Sequence, residues 1–165
     1  HARGVDKPFT IVPVLCAFPA VTLADPQYRE SQAQIERFIQ AMTSALAQVG
    51  TSVCFIASAE LAHIGLRYGD KDPPTDFAFH KCMQTDMAML KHVEERNPQA
   101  FFEFIAKERD QRHIYGFATI YTLLRLMSAA EGQVLRYDRG ITDQFNSTAT
   151  YASIAFFSPP TVLPG

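Results

Sequence analysis

Apolar positions along the chain fall into two kinds of pattern. The first has helical spacing. Ile35, Phe38, Ile39, Met42, Ala45, Leu46 and Val49 recur every three or four residues, which predicts an amphipathic helix over 31–49 closed by Gly50. Helices are also predicted over 76–95 and 99–107, separated by Asn97-Pro98, with Pro98 suited to a first helical turn. A third long helix is predicted over 115–130, stopped by Gly132. The second pattern is a continuous apolar run. Residues 10–16 (TIVPVLC) and 51–58 (TSVCFIAS) are short and rich in β-branched side chains, which predicts two buried strands. With the helix between them they form a strand–helix–strand unit, and the two strands should be parallel neighbours. Further strands are predicted over 134–137 and 148–157, joined by a polar loop. The 59–70 stretch reads as a loop or short helix, and 108–113 as a charged, solvated connection.

These elements imply an α/β fold in three layers, with a mixed, mostly parallel sheet flanked by helices. Its 165 residues are about one domain's length. The expected division is a single α/β domain over 1–157 and a proline-rich tail over 158–165.

Composition narrows the function. Fifteen Lys and Arg face seventeen Asp and Glu, a net charge of −2, so there is no basic footprint for nucleic acid. No apolar run approaches the ~20 residues of a membrane helix, so no membrane partner is expected. Residues 10–24 have the hydrophobicity of a signal peptide, but Pro13 and Pro19 break the run and its β-branched residues suit a strand. The three cysteines, Cys16, Cys54 and Cys82, are odd in number and scattered. That suits reduced thiols in a cytoplasmic protein.

The chemistry-bearing candidates are few. Glu60 and His63 follow the second predicted strand directly, where open α/β sheets bind ligands. A carboxylate and an imidazole three residues apart make either part of a metal site or an acid–base pair. The pattern is a weak one, and a structural hydrogen-bonded pair is its commoner outcome. His80 and Cys82 are two residues apart in a predicted helix and point about 200° away from each other, too far to share an ion. His92 and His113 read as solvent-exposed. There is no Walker loop, no G-x-S-x-G and no G-x-G-x-x-G. Phe101, Phe102, Phe104 and Phe117 read as core.

Four segments in order resemble one family. Residues 56–70 (IASAELAHIGLRYGD) resemble the S-x-D-L-x-H-x-G segment of the MEMO family, whose bacterial members are often called AmmeMemoRadiSam system protein B. Residues 112–124 (RHIYGFATIYTLL) resemble its R-x-I-C-G-x-x-P-I segment. Leu135-Arg-Tyr-Asp138 and Thr150-Tyr-Ala-Ser153 resemble its closing pattern, and residues 8–16 its preceding strand. The resemblance spans most of 8–157 and corresponds to the C-terminal half of the family.

The resemblance implies a fold related to class III extradiol dioxygenases, which are non-heme iron enzymes, but with a site generally regarded as vestigial. This chain departs from the pattern further. The family's A-P-H-A-G-Y and G-P-S-H-H segments do not occur. Glu60 replaces an Asp and Tyr115 a Cys, which leaves His63 as the straight match. The expected candidate cleft is therefore Glu60, His63 and Tyr115, with His63 and Glu60 as candidate ligands for iron or another divalent metal. The expected function is a non-catalytic binding or auxiliary protein with a degenerate metal site, acting on an unknown protein or small molecule. The alternative is a metal-dependent, extradiol-dioxygenase-like oxidoreductase whose other ligands lie upstream of His1. Half of a family fold should also expose apolar faces. These need cover from an upstream segment or from a second copy in a homodimer.

Overall fold

The structure is a computed structural model and describes residues 9–127 and 131–157. The proline-rich stretch 158–165, His1, the end of the predicted third helix and the first residue of the 8–16 match lie outside the described residues. Five α-helices and three strands form, in the order α1 (Val21–Ala24), α2 (Arg29–Gln48), β1 (His63–Ile64), α3 (Asp76–Glu94), α4 (Pro98–Lys107), α5 (Phe117–Leu126), β2 (Glu131–Ile141) and β3 (Thr148–Phe157).

The helices start where capping chemistry permits. The Thr75 hydroxyl accepts the Ala78 N–H at the head of α3. The Asn97 side chain accepts the Ala100 N–H at the head of α4, with Pro98 in the first turn. The two helices pack on each other and on α5. Met89, Leu90 and Val93 from α3, Phe101 and Ile105 from α4, and Phe117 and Leu124 from α5 are buried together. Phe101 stacks on Phe117 with ring centroids 5.7 Å apart, and Phe117 on Tyr121 at 5.6 Å.

The sheet covers one side of this core. It is antiparallel, with strand order β1-β3-β2. β2 and β3 form a long hairpin, with a register shift between Val134 and Arg136 that leaves Leu135 exposed. Ala152, Ile154 and Phe156 turn toward the helices, as the period-2 pattern requires. β1 adds two residues to the other edge of β3, pairing His63 with Ala149 and Ile64 with Thr148.

This overturns the expected three-layer, mostly parallel sheet. Residues 10–16 and 51–58 are not strands, and neither makes a backbone–backbone hydrogen bond with the described residues. A central parallel strand is buried on both faces. Here Leu15 is 95% and Ile56 87% exposed. Their composition makes both runs competent to be strands, but a strand exists only through a paired neighbour. The sheet that does form is local, because a hairpin brings its own partner.

Candidate functional site

The site is assembled where residues 59–64 thread between the edge of β3 and the 108–116 loop. Leu61 donates its N–H to the Thr150 carbonyl at 2.8 Å, and Thr150 returns its own to the Ala62 carbonyl at 2.8 Å. The Ala62 N–H goes to the Thr150 hydroxyl at 2.9 Å, and the His63 N–H to the Arg112 carbonyl at 2.7 Å. Every backbone donor from Leu61 to His63 is thus held.

Two glycines make the threading sterically feasible. Gly116 donates its N–H to the Glu60 carbonyl at 3.0 Å. A Cβ there would run into that same carbonyl oxygen and come within 2.7 Å of the Ala59 side chain. Gly65 has φ +112°, and a Cβ on it would lie 2.7 Å from the Ser147 backbone. The opposing loop is strained. Arg109, Asp110 and His113 have φ of 54°, 51° and 50°, a left-handed conformation costing non-glycine residues on the order of 1–2 kcal/mol each. The Asp110 carboxylate helps hold the loop by accepting the Ile114 N–H at 2.8 Å.

His63 sits at the centre and is only 3% exposed. Its Nδ1 faces two carbonyl oxygens, Leu61 at 3.0 Å and His113 at 3.1 Å. Carbonyls only accept, so Nδ1 carries a proton. Its Nε2 lies 3.0 Å from Glu60 Oε2, and one further proton must lie between those two atoms, whichever of them carries it. Glu60 itself is 62% exposed. The Tyr115 ring lies over the imidazole at 4.2 Å and 32°, and the Tyr68 ring meets it edge-on at 4.8 Å and 77°. Tyr115, which the sequence groups with Glu60 and His63, is 64% exposed.

Behind the histidine is a buried polar cluster. Asp86, fully buried on α3, pairs with Arg112 and accepts the Tyr137 hydroxyl at 2.7 Å and the Thr150 hydroxyl at 2.6 Å. Arg112 also forks onto Glu108 at 2.6 and 3.0 Å. Burial works against the Arg112 charge, but the Glu108 hydrogen bond and the charges of Asp86 and Glu108 outweigh it and raise its pKa. Burial, then the Asp86 charge, raise the Tyr137 hydroxyl. Burial, with Asp86 adding, pushes the Cys82 thiol up to about 11.

The three candidate residues Glu60, His63 and Tyr115 therefore meet in space, but not as the sequence pattern anticipates. Glu60 follows the unpaired 51–58 run, His63 opens β1, and Tyr115 lies in the 108–116 loop. They also border neither of two grooves found elsewhere among the described residues. The one of about 210 Å³, lined by Leu15, Phe18, Ile35 and Phe38, lies along α2 instead. His80 lies on the exposed side of α3 beside Gln84, apart from buried Cys82. Arg112, which reads as solvated, is buried, and His113 contributes its carbonyl to the site. The sequence assigns no role to Tyr68, Asp86 or Thr150, because their roles depend on contacts 5 to 88 residues away along the chain.

The donor set bears directly on the metal that the resemblance implies. Among the described residues no group of three or more His, Cys, Asp or Glu is placed to hold an ion. His63 Nε2 and Glu60 Oε2 supply two donors, whereas a facial iron triad needs two histidines and a carboxylate. Tyr115 offers an aromatic face where the family segment carries a soft thiol. These residues do not fit a tightly held iron.

A helical layer on a small antiparallel sheet, with one histidine and one carboxylate converging at the sheet edge, defines an α/β protein. The sequence model of the Memo-like protein family matches residues 3–155, and the chain belongs to that family. No curated protein matches it. Among the described residues no helix is long and apolar enough to cross a membrane.

Proposed function

We propose that this chain is a non-catalytic binding or auxiliary member of its family, with a degenerate metal site. One observation carries the reading: the two donors, Glu60 and His63, already satisfy each other across 3.0 Å, and a tyrosine ring closes over them. The exposed Tyr115 ring offers an aromatic group beside the imidazole, with Tyr68 edge-on to both and Glu60 an exposed acceptor. Iron(II) and zinc(II) titrations by calorimetry test the reading. The expected result is no stoichiometric sub-micromolar binding. One-to-one binding that tight, lost in His63→Ala, would overturn it and favour the oxidoreductase alternative.

The same reading includes a protein partner. The 9–18 and 50–59 stretches carry no charged residue, so two copies could meet there without like-charge repulsion. Phe9, Ile11, Val12, Leu15 and Ile56 are all largely exposed, more apolar surface than monomers ordinarily show. A homodimer is the simplest cover, and light scattering across a concentration series tests it. A monomer at all concentrations removes that part of the reading. The free state of Cys16, Cys54 and Cys82 supports a cytoplasmic setting, which cell fractionation checks.

A further inference from the structure

We infer that Asp86 is the positioning residue of the His63 site, acting through Thr150 on one side and Arg112 on the other. The inference rests on the reading of Glu60, His63 and Tyr115 as a binding site, and it concerns what holds that site in shape.

The chain of contacts is continuous. The Thr150 hydroxyl has a single proton. It lies 2.6 Å from the Asp86 carboxylate and 3.4 Å from the Ala62 carbonyl, so the carboxylate takes it. The hydroxyl oxygen is then left as an acceptor, and the Ala62 N–H fills it at 2.9 Å. Asp86 thereby sets the polarity of the contact that anchors the residue before His63. The other arm is Arg112. Its guanidinium is paired to Asp86, and its backbone carbonyl accepts the His63 N–H at 2.7 Å. The next residue, His113, aims its carbonyl at the His63 ring. Both strands of backbone that grip the imidazole therefore trace back to one carboxylate, itself shut away from water. Tyr137 completes the set from β2 with a donated hydroxyl.

A residue with only a packing role would not reach the imidazole. Losing the Thr150 relay frees the Ala62 N–H and lets the Leu61 carbonyl drift from Nδ1. Replacing Asp86 by Asn lets the side chain present an N–H to the Thr150 oxygen. The hydroxyl proton must then leave residue 86 for the Ala62 carbonyl, 3.4 Å away, and the short charge-assisted bond that fixes Thr150 is lost.

The experiment reads the His63 ring by NMR at fixed pH, through its slowly exchanging Nδ1–H proton and its ring nitrogen shifts. In Thr150→Val, with unchanged far-UV circular dichroism, the Nδ1–H signal should be lost and the ring nitrogens should move. Thr150→Ser keeps the hydroxyl and should restore the wild-type signature. Asp86→Asn should lose it as Thr150→Val does, and where Asp86→Asn fails to fold, the two Thr150 variants decide. Arg125→Met, which removes the remote Glu36 ion pair, should leave the His63 signals in place. Wild-type His63 signals in both Thr150→Val and a folded Asp86→Asn would overturn the inference, as would equal loss in Arg125→Met. Zinc chloride added to the wild type reads the degenerate site separately. Tight binding there defeats that reading, while the comparison of His63 signals between variants still decides the role of Asp86.

Discussion

Residues 9–58 and 59–157 contrast sharply. The first region is apolar along most of its length, yet only Ala20 and Ile39 among its apolar residues are buried. Its one long helix, α2, touches the rest mainly through α5 and through the Arg125–Glu36 ion pair at 2.7 and 2.9 Å. The second region holds the core: three helices, a hairpin and the Asp86 cluster. Apolar content alone does not make a core. The second region has neighbours close in sequence, helix against helix and strand against its hairpin mate. In the first region, the two apolar runs pair with no strand among the described residues.

Core substitutions should show the widest gap between the regions. Phe101→Ala removes a fully buried ring stacked on Phe117 and should cost about 3–5 kcal/mol in chemical denaturation. A loss below 1 kcal/mol would mean that the α3–α4–α5 packing is not the core. Thiol reactivity gives the next largest contrast. Cys54 is exposed, whereas Cys82 is buried with its thiol pushed up to about 11. At pH 8 only about 0.1% of Cys82 is thiolate, so a maleimide should label Cys54 at least ~100-fold faster. Comparable rates would break the comparison.

Gly116→Ala tests the join between the 59–64 segment and the second region's loop. Its methyl would collide with the Glu60 carbonyl, and overpacking of this kind costs roughly 1–3 kcal/mol. Thermal denaturation should show that loss, and an unchanged midpoint would mean the two segments do not meet so closely.

The Glu36–Arg125 pair is a smaller effect with a definite sign. The Arg125 hydrogen bond, against some desolvation, holds the Glu36 carboxyl below its usual value of 4.5. A depressed folded-state pKa contributes stability above the unfolded value and loses it as pH falls through the folded one. Glu36→Gln should therefore cost under about 1 kcal/mol at pH 7, the pair being half exposed. The difference from wild type should fade as pH drops below about 4.5. A gap that does not shrink as the pH is lowered would show that the charge is not its source. Smallest of all, Ile56→Ser should change monomer stability by no more than ~0.5 kcal/mol despite removing a large apolar side chain. A loss of several kcal/mol would mean that this face is covered in solution.

The legible parts of the fold were the local ones. α2, α3 and α4 begin and end within two residues of their predicted bounds, because amphipathic spacing, Thr75, Asn97 and Pro98 act within a few residues of themselves. Both hairpin strands were legible too, though β2 is longer than 134–137. The parallel sheet was misread because TIVPVLC and TSVCFIAS say what each run could pair with, not whether a partner is there. Among the site residues, Glu60, His63 and Tyr115 could be picked out by motif. Arg112, Tyr68 and Thr150 lie within the matched segments, but nothing there gave them a role. Asp86 lies outside all four, and a buried carboxylate on α3 looks like any polar helix residue until β3 and the 108–113 loop close over it.

The amino-acid sequence by itself determined the helices, the hairpin, the family and the chemistry of the candidate residues. Each of these is written in spacings of a few residues or in a short motif. Only the tertiary structure decided which apolar runs are buried, which way the His63 ring faces and which carboxylate stands behind it. Those outcomes depend on contacts between residues tens of positions apart, such as Ala62 with Thr150 and Arg112 with Asp86. Burial and hydrogen-bond polarity belong to the assembled neighbourhood of a residue, and no stretch of chain carries that neighbourhood alone.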